Sequence, residues 1–252
     1  MSGARNLEDA MPKPIELFYW PTPNGHKISV ALEELGLPYE VRFVNIGAGE
    51  QFKPAFLKIS PNNRMPAIID PEGPGGAPIS VFESGAILQY LGRKTGQLYP
   101  TDERGRVEVD EWLFWQMAGL GPMAGQAHHF RSYAPAFLKD SRLTAYGAAR
   151  YTNEVNRLYG VLDRRLAGRD YLTGDYSVAD IASWCWIKPE GQGQSLADFP
   201  NLAAWHARIA ARPAVQAGIA ILPPDTTGQA LQGTEEEREK ARAVLFGQRA
   251  GR

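Results

Sequence analysis

The chain contains a single cysteine, Cys185, in 252 residues. A lone thiol cannot close an internal disulfide, and it excludes a Cys-x-x-Cys redox pair. Neither sign of charge dominates: the formal net charge is −1. That balance supplies no field to gather nucleic acid or an anionic membrane. Apolar runs of the roughly 20 residues that a membrane span needs are missing, and Met1 to Pro14 has no apolar core like that of a signal peptide. These absences lead us to expect a cytoplasmic globular protein with neither nucleic acid nor membrane among its partners. A composition of 44% hydrophobic and 22% charged residues agrees. At this length, two modest domains are the expected division.

What is present is concentrated near the start. The β-like run Ile15-Glu16-Leu17-Phe18 leads into Tyr19-Trp20-Pro21-Thr22-Pro23-Asn24-Gly25. An amphipathic helix follows, with Ile28, Ala31, Leu32 and Leu35 at i, i+3, i+4 and i+7. Two prolines and a glycine fix the backbone where strand hands over to helix. The first N–H groups of that helix lack partners and carry the positive end of its dipole, a place suited to a thiolate, carboxylate or phosphate. A thioredoxin-like fold would set its redox cysteines here. This chain has Thr22 and Asn24 instead, so sulfur chemistry at this point must bring its sulfur from outside. For an isolated Thr-Pro-Asn, helix capping is the commoner role.

Farther on, Tyr39 to Val44 reads as a second strand, parallel to the first by the handedness of β-α-β units. A short helical piece is expected around Phe52–Leu57. Met65-Pro66 precedes the apolar run Ala67-Ile68-Ile69, and Ile79-Ser80-Val81-Phe82 alternates as its hairpin partner. Glu83-Ser84 opens a helix ending near Gly96, and Ser84 itself reads as an N-cap. After Pro100 the patterns are helical. Tyr151, Val155, Leu158, Tyr159, Leu162 and Leu166 make one stripe, Leu202, Trp205 and Ile209 another, and Ser177-Val178-Ala179-Asp180 is a capping box. The expected fold is an α/β thioredoxin-like N-terminal domain (14–96), a linker (97–103) and an all-α C-terminal helical bundle (104–222). A loose tail (1–13) and a polar one (223–252) flank them; Glu235-Glu236-Glu237 and the basic residues after it form either a solvated helix or a disordered segment.

The thioredoxin-like half followed by a helical half with that capping box resembles the cytosolic glutathione transferases, over residues 15 to about 220. Three strings sharpen the likeness to the bacterial nu class: Thr22-Pro23-Asn24-Gly25-His26-Lys27, Phe56-Leu57-Lys58-Ile59-Ser60-Pro61-Asn62-Asn63, and Gly119 to Met123 with Gln126-Ala127-His128-His129-Phe130. That class is similar in sequence to the yeast prion-type nitrogen regulator. The resemblance implies glutathione as co-substrate, small or mixed disulfides as partners, glutathione-dependent disulfide reduction as the activity, and a homodimer. The apolar helix around Trp112–Trp115 is the candidate subunit contact.

It also implies a site. The Thr22 hydroxyl and Asn24 amide donate to a glutathione sulfur, lowering its pKa. Met65-Pro66, if cis, gives a strand edge for the peptide part of glutathione. Glu83 and Ser84 meet the γ-glutamyl end, and Gln51 and Arg150 match further contact positions, Gln51 being expected as an exposed loop residue. Tyr19 is the rival donor, as many transferases use a tyrosine near the end of this strand; alternation turns it toward the core instead. Conjugation of electrophiles and a glutathione-binding regulator are the alternative functions. No metal is expected, because the adjacent His128 and His129 point apart on a helix without a spaced partner. Cys185, between Trp184 and Trp186, reads as a packing cysteine.

Overall fold

The computed structural model describes residues 12–138, 140–224 and 234–248. Strands β1 (Ile15–Tyr19), β2 (Tyr39–Phe43), β3 (Ala67–Asp70) and β4 (Ile79–Phe82) form one sheet in the order β2-β1-β3-β4. β1 and β2 are parallel, with Leu17 opposite Val41. β3 is antiparallel to both of its neighbours, with Ile68 opposite Leu17 on one side and Val81 on the other. The period of two in β1 decides its packing. Ile15, Leu17 and Tyr19 are buried beneath helices α1 (Pro23–Glu34) and α3 (Ser84–Thr95). Phe18 faces the other way, onto Phe56 of the short helix α2 (Pro54–Leu57).

Helix α1 begins at Pro23, earlier than the apolar periodicity alone suggests, because Thr22 caps it and proline is favoured in a first turn. Beyond β4 there is no further strand among the described residues. Helices α4 (Glu103–Trp115), α5 (Gly121–His128), α6 (Ala134–Phe137), α7 (Ser141–Arg165), α8 (Val178–Trp184), α9 (Pro189–Gln192), α10 (Pro200–Ala210) and α11 (Pro213–Ile219) build the second half. Two five-residue π turns flank α5, at Gln116–Leu120 and His129–Tyr133. The molecule is thus a thioredoxin-like sheet domain joined to a helical one, as the patterning predicts.

One hydrophobic core runs through both halves, and α1 is its hinge-pin. Its Ser29 hydroxyl donates to the Gly218 carbonyl of α11 at 2.7 Å. A Cβ on Gly218 would stand 2.7 Å from the Val30 backbone, so only glycine lets the two helices approach this closely. At the far end of α1, Arg212 holds Glu34 through two bonds of 2.6 and 2.7 Å. These links fix α1 against the helical half from its middle to its C-terminal end.

The capping box of α8 is present, and Ser177 and Asp180 are both buried. The C-terminal segment departs from the two readings of its sequence. Glu235–Leu245 is a helix, α12, with Ala241 buried, and Phe246 just beyond it packs 4.8 Å from the His129 ring. Apolar residues at 241, 244, 245 and 246 give it a face to bury, so it is not simply solvated. The remaining parts of the expected tails, 1–11, 225–233 and 249–252, lie outside the described residues.

Candidate active site

Thr22 is the N-cap of α1: its Oγ1 accepts the Gly25 N–H at 3.2 Å. Its own proton is directed at the thioether sulfur of Met65, 3.8 Å away, a weak acceptor. A Cβ on Gly25 would lie 2.2 Å from the Trp20 carbonyl oxygen, so this turn requires glycine. Asn24, in the first turn, accepts the indole N–H of Trp186 on Oδ1 at 2.8 Å. An indole nitrogen only donates, so the amide must present its oxygen to Trp186 and its NH2 elsewhere. That NH2 has no partner among the described residues. Capping by Thr22 therefore leaves the Asn24 NH2 uncommitted.

Tyr19 is fully buried, its hydroxyl 3.0 Å from His26 Nδ1 and 3.3 Å from the Ile221 carbonyl. Burial pushes its phenol up to about 12, so it is neither reachable nor acidic, as the alternation along β1 indicated. Burial also lowers His26 to about 4, helped by the positive charge of Lys188.

The Met65-Pro66 bond is cis. Register then places the remaining expected residues: Ala67 pairs with Phe82, which brings Pro66 beside Glu83 at the start of α3. Glu83 has φ +71°, in the left-handed region where a side chain is strained, and its Oε1 accepts from Asn62 at 3.2 Å. Glu83, not Ser84, is the N-cap residue, and Ser84 is the first residue of the helix. The Ser84 hydroxyl is turned inward and accepts from Lys27 Nζ at 3.4 Å. Gln51 is buried rather than exposed, because the turn Glu50–Phe52 folds it under the chain. Its Nε2 donates to the Ile46 carbonyl at 3.2 Å, and its Oε1 has no partner among the described residues. Thr22, Asn24, Met65, Pro66, Glu83 and Ser84 thus form one strip along the end of the sheet. Arg150 is not brought to it directly; it is exposed on α7, outside the cavity described next.

Asn24 opens onto a cavity of about 670 Å³ between the two halves, within the usual size of a small-molecule site. Lys27, Arg64, Gln116, His129, Tyr133 and Trp186 supply its polar lining, and Phe246 closes one side. Both π turns contribute to the wall, and such turns recur at functional sites. Its lining includes a lysine and an arginine and, among the described residues, neither an aspartate nor a glutamate. Burial holds His129 below its ordinary pKa. With Arg64 and several amide and indole donors in its wall, the cavity is a donor-rich place that favours an anion.

The sequence reading missed Lys27 and Gln116. Lys27 is buried and donates to Gln116 Oε1 at 2.7 Å and toward Met117 Sδ at 3.3 Å. Burial lowers its ammonium to about 7, opposed by the more distant negative charge of Glu83. The available signal was a polar side chain on an apolar stripe. Lys27 shares the buried face of α1 with Ile28 and Ala31, and Gln116 falls between buried Leu113 and Leu120. Cys185 is also buried, its thiol pushed up to about 12, so it is no nucleophile. His128 and His129 pack edge-to-face against Tyr133 and Phe246, and no group of three metal-ligating side chains stands together among the described residues.

The comparisons with known proteins fit this geometry. The glutathione S-transferase N-terminal domain matches residues 13–93 and the C-terminal domain of the same family residues 136–213. The disulfide-bond oxidoreductase YfcG of Escherichia coli (strain K12) is 47% identical over 220 residues, 86% of this chain and 94% of that protein. A glutathione transferase from Burkholderia graminis, solved with two glutathione molecules bound per subunit, superposes with a TM-score of 0.77 at 46% identity, covering 83% of this chain and 89% of that one. Another from Pseudomonas putida, solved with one glutathione disulfide bound per subunit, gives 0.76 at 43% identity, covering 82% and 91%. With a thioredoxin-like sheet, an all-helical second half and both domain matches in place, this chain belongs to the glutathione S-transferase family.

Proposed function

We propose that the protein is a glutathione-dependent disulfide-bond reductase of the nu type. The observation that carries this reading is the Asn24 amide on the cavity wall at the N-terminus of α1, its oxygen held by Trp186, its NH2 left without a partner, and no carboxylate in the lining among the described residues. There the Thr22 hydroxyl and Asn24 amide donate to the glutathione sulfur and favour its thiolate. Neither residue titrates near neutral pH, so activation is electrostatic rather than by a general base. Thr22 gives up only a weak bond to Met65 when a sulfur arrives.

The thiolate attacks one sulfur of a disulfide, forming a mixed disulfide and releasing the other sulfur as a thiolate. A second glutathione thiolate then attacks the glutathione sulfur of that mixed disulfide. Glutathione disulfide forms and the second substrate thiol leaves. Two glutathiones are oxidised and one disulfide is reduced, without an enzyme cysteine. In this reading the strand edge at Met65-Pro66 holds the peptide part, Glu83 and Ser84 the γ-glutamyl end, and Gln51, with its free Oε1, a donor of the ligand. Arg150 serves the outer glutathione. The names of the relatives support the reading: YfcG is called a disulfide-bond oxidoreductase, and the Burkholderia graminis protein holds two glutathiones.

The protein acts as a cytoplasmic homodimer in this proposal. None of the described helices is long and apolar enough to cross a membrane. Phe114 and Val107, 62% and 50% exposed on α4, give the apolar patch for a partner subunit. Sedimentation showing only monomer at micromolar concentration would count against the dimer.

The test of function is turnover of hydroxyethyl disulfide with glutathione, coupled to glutathione reductase, beside conjugation of chlorodinitrobenzene. Strong reduction with feeble conjugation is expected. The reverse would make the protein a conjugating transferase. Glutathione binding with neither activity would make it a regulator.

A further inference from the structure

The buried pair Lys27–Gln116 repeats, on a second wall of the cavity, the arrangement of Trp186–Asn24. In each pair a donor-only group, an ammonium or an indole N–H, occupies the carbonyl oxygen of a side-chain amide, at 2.7 and 2.8 Å. Each amide is thereby locked with its NH2 turned away from its partner. The Gln116 Nε2 is buried and has no acceptor among the described residues. An unpaired buried N–H costs about 1–3 kcal/mol, so its retention needs a reason. The nitrogen lies over Gly121 of the same wall: a Cβ built there would stand 2.7 Å from Gln116 Nε2 and 3.4 Å from Trp186 Nε1. Gln116, Gly121, Trp186 and Asn24 therefore make one continuous patch of the cavity surface. The absence of a Cβ at Gly121 is what leaves room beside the amide.

We propose that Gln116 is a further binding residue of this site, its NH2 donating to an anionic oxygen or sulfur of bound glutathione, with Lys27 as the residue that positions it. The proposal rests on the glutathione reading above and deepens it. Lys27 has two duties in this arrangement. It fixes the Gln116 amide, and it bonds the inward-turned Ser84 hydroxyl at 3.4 Å, so one buried cation ties the start of α3 to the helical half behind the Gln116 amide. Lys27 has no carboxylate bonded to it among the described residues. Its charge, where present, is thus left for a ligand anion rather than spent on a protein ion pair.

Two substitutions on the full-length protein separate this role from a structural one. Gln116→Glu keeps the partner of Lys27, in an ion pair, and replaces the NH2 by a second acceptor. Gln116→Met keeps the bulk and removes the amide without adding charge. Glutathione affinity by isothermal titration calorimetry and melting temperature are measured for both and for the unaltered protein. The expected result is a loss of affinity of about 10- to 100-fold in each variant, the range of a hydrogen bond to a charged group, with the melting temperature of Gln116→Glu held or raised. Gln116→Glu binding within twofold of the unaltered protein overturns the proposal. So does Gln116→Met at full affinity beside a weakened Gln116→Glu, which would leave only a change of field. Failure of the unaltered protein to bind glutathione would instead refute the functional reading beneath it.

Discussion

Two helix N-termini in this protein carry polar residues in similar sequence settings and use them in opposite ways. At α8 the Asp180 carboxylate accepts from the Leu172 N–H, the Trp205 indole N–H, and both the N–H and hydroxyl of Ser177, at 2.9 to 3.0 Å. All four of these donors share one buried carboxylate. Burial pushes that carboxyl up to about 6, against the pull of its hydrogen bonds. At α1 the balance is one-sided. Thr22 satisfies one N–H of the first turn, whereas the amide groups of Asn24 and, across the cavity, Gln116 keep unmatched donors. A closed set of bonds holds a fold together. A surplus of one kind of group, left unmatched in a cavity, marks where a ligand completes it.

The comparison is broken most severely at the α8 end. Asp180→Ala leaves the indole of Trp205 and two backbone N–H groups buried without acceptors, and we expect a loss of at least about 3 kcal/mol in denaturant unfolding. Activity per folded molecule should be preserved. At the open end the order reverses. Asn24→Ala and Thr22→Ala should each lower disulfide reduction by roughly 10²-fold, as for loss of one preset donor to developing charge, while stability falls by about 1 kcal/mol. A large stability loss with intact turnover would return both residues to capping alone.

Acid should probe the base of α1 next. His26 titrates at about 4 in the folded chain against about 6.5 unfolded. Between those values the unfolded state binds more protons, so stability is full above pH 6.5 and declines as pH falls toward 4, by about 3 kcal/mol. His26→Gln should remove that part of the slope in pH-dependent unfolding curves; an unchanged slope would place the effect elsewhere. The smallest effect belongs to the thiol. Cys185→Ala should leave turnover within about twofold and cost about 1 kcal/mol of stability; loss of turnover in a folded variant would mean that the sulfur is not supplied by glutathione.

Much of this was legible in the residues. Hydrophobic periodicity located all four strands and the long helices, since β1 and α7 each bury one face with a clean period. The capping box was readable because Ser177 and Asp180 interact three residues apart. Thr22 was legible as a helix cap for the same local reason. Gln51 misled because exposure is a tertiary property: a polar residue in a polar loop gives no sign that the turn will bury it. Lys27 and Gln116 lie 89 positions apart, and their bond exists only once α1 packs against the helical half. Each left a trace, a polar residue on an apolar stripe, but the partner of neither was visible. The packing of α12 was hidden likewise, its partners His129 and Tyr133 being distant in sequence.

The central claim is that donors at the N-terminus of α1 stabilise the thiolate of a glutathione held there. It is tested most directly by titrating the ultraviolet thiolate absorbance of glutathione bound to the full-length protein, and to Asn24→Ala, across pH. The account predicts that the bound thiol ionises at least about one unit below the value of about 8.5 for a free thiol, and that Asn24→Ala restores most of the difference. A bound thiol that ionises like a free one in the unaltered protein would contradict it.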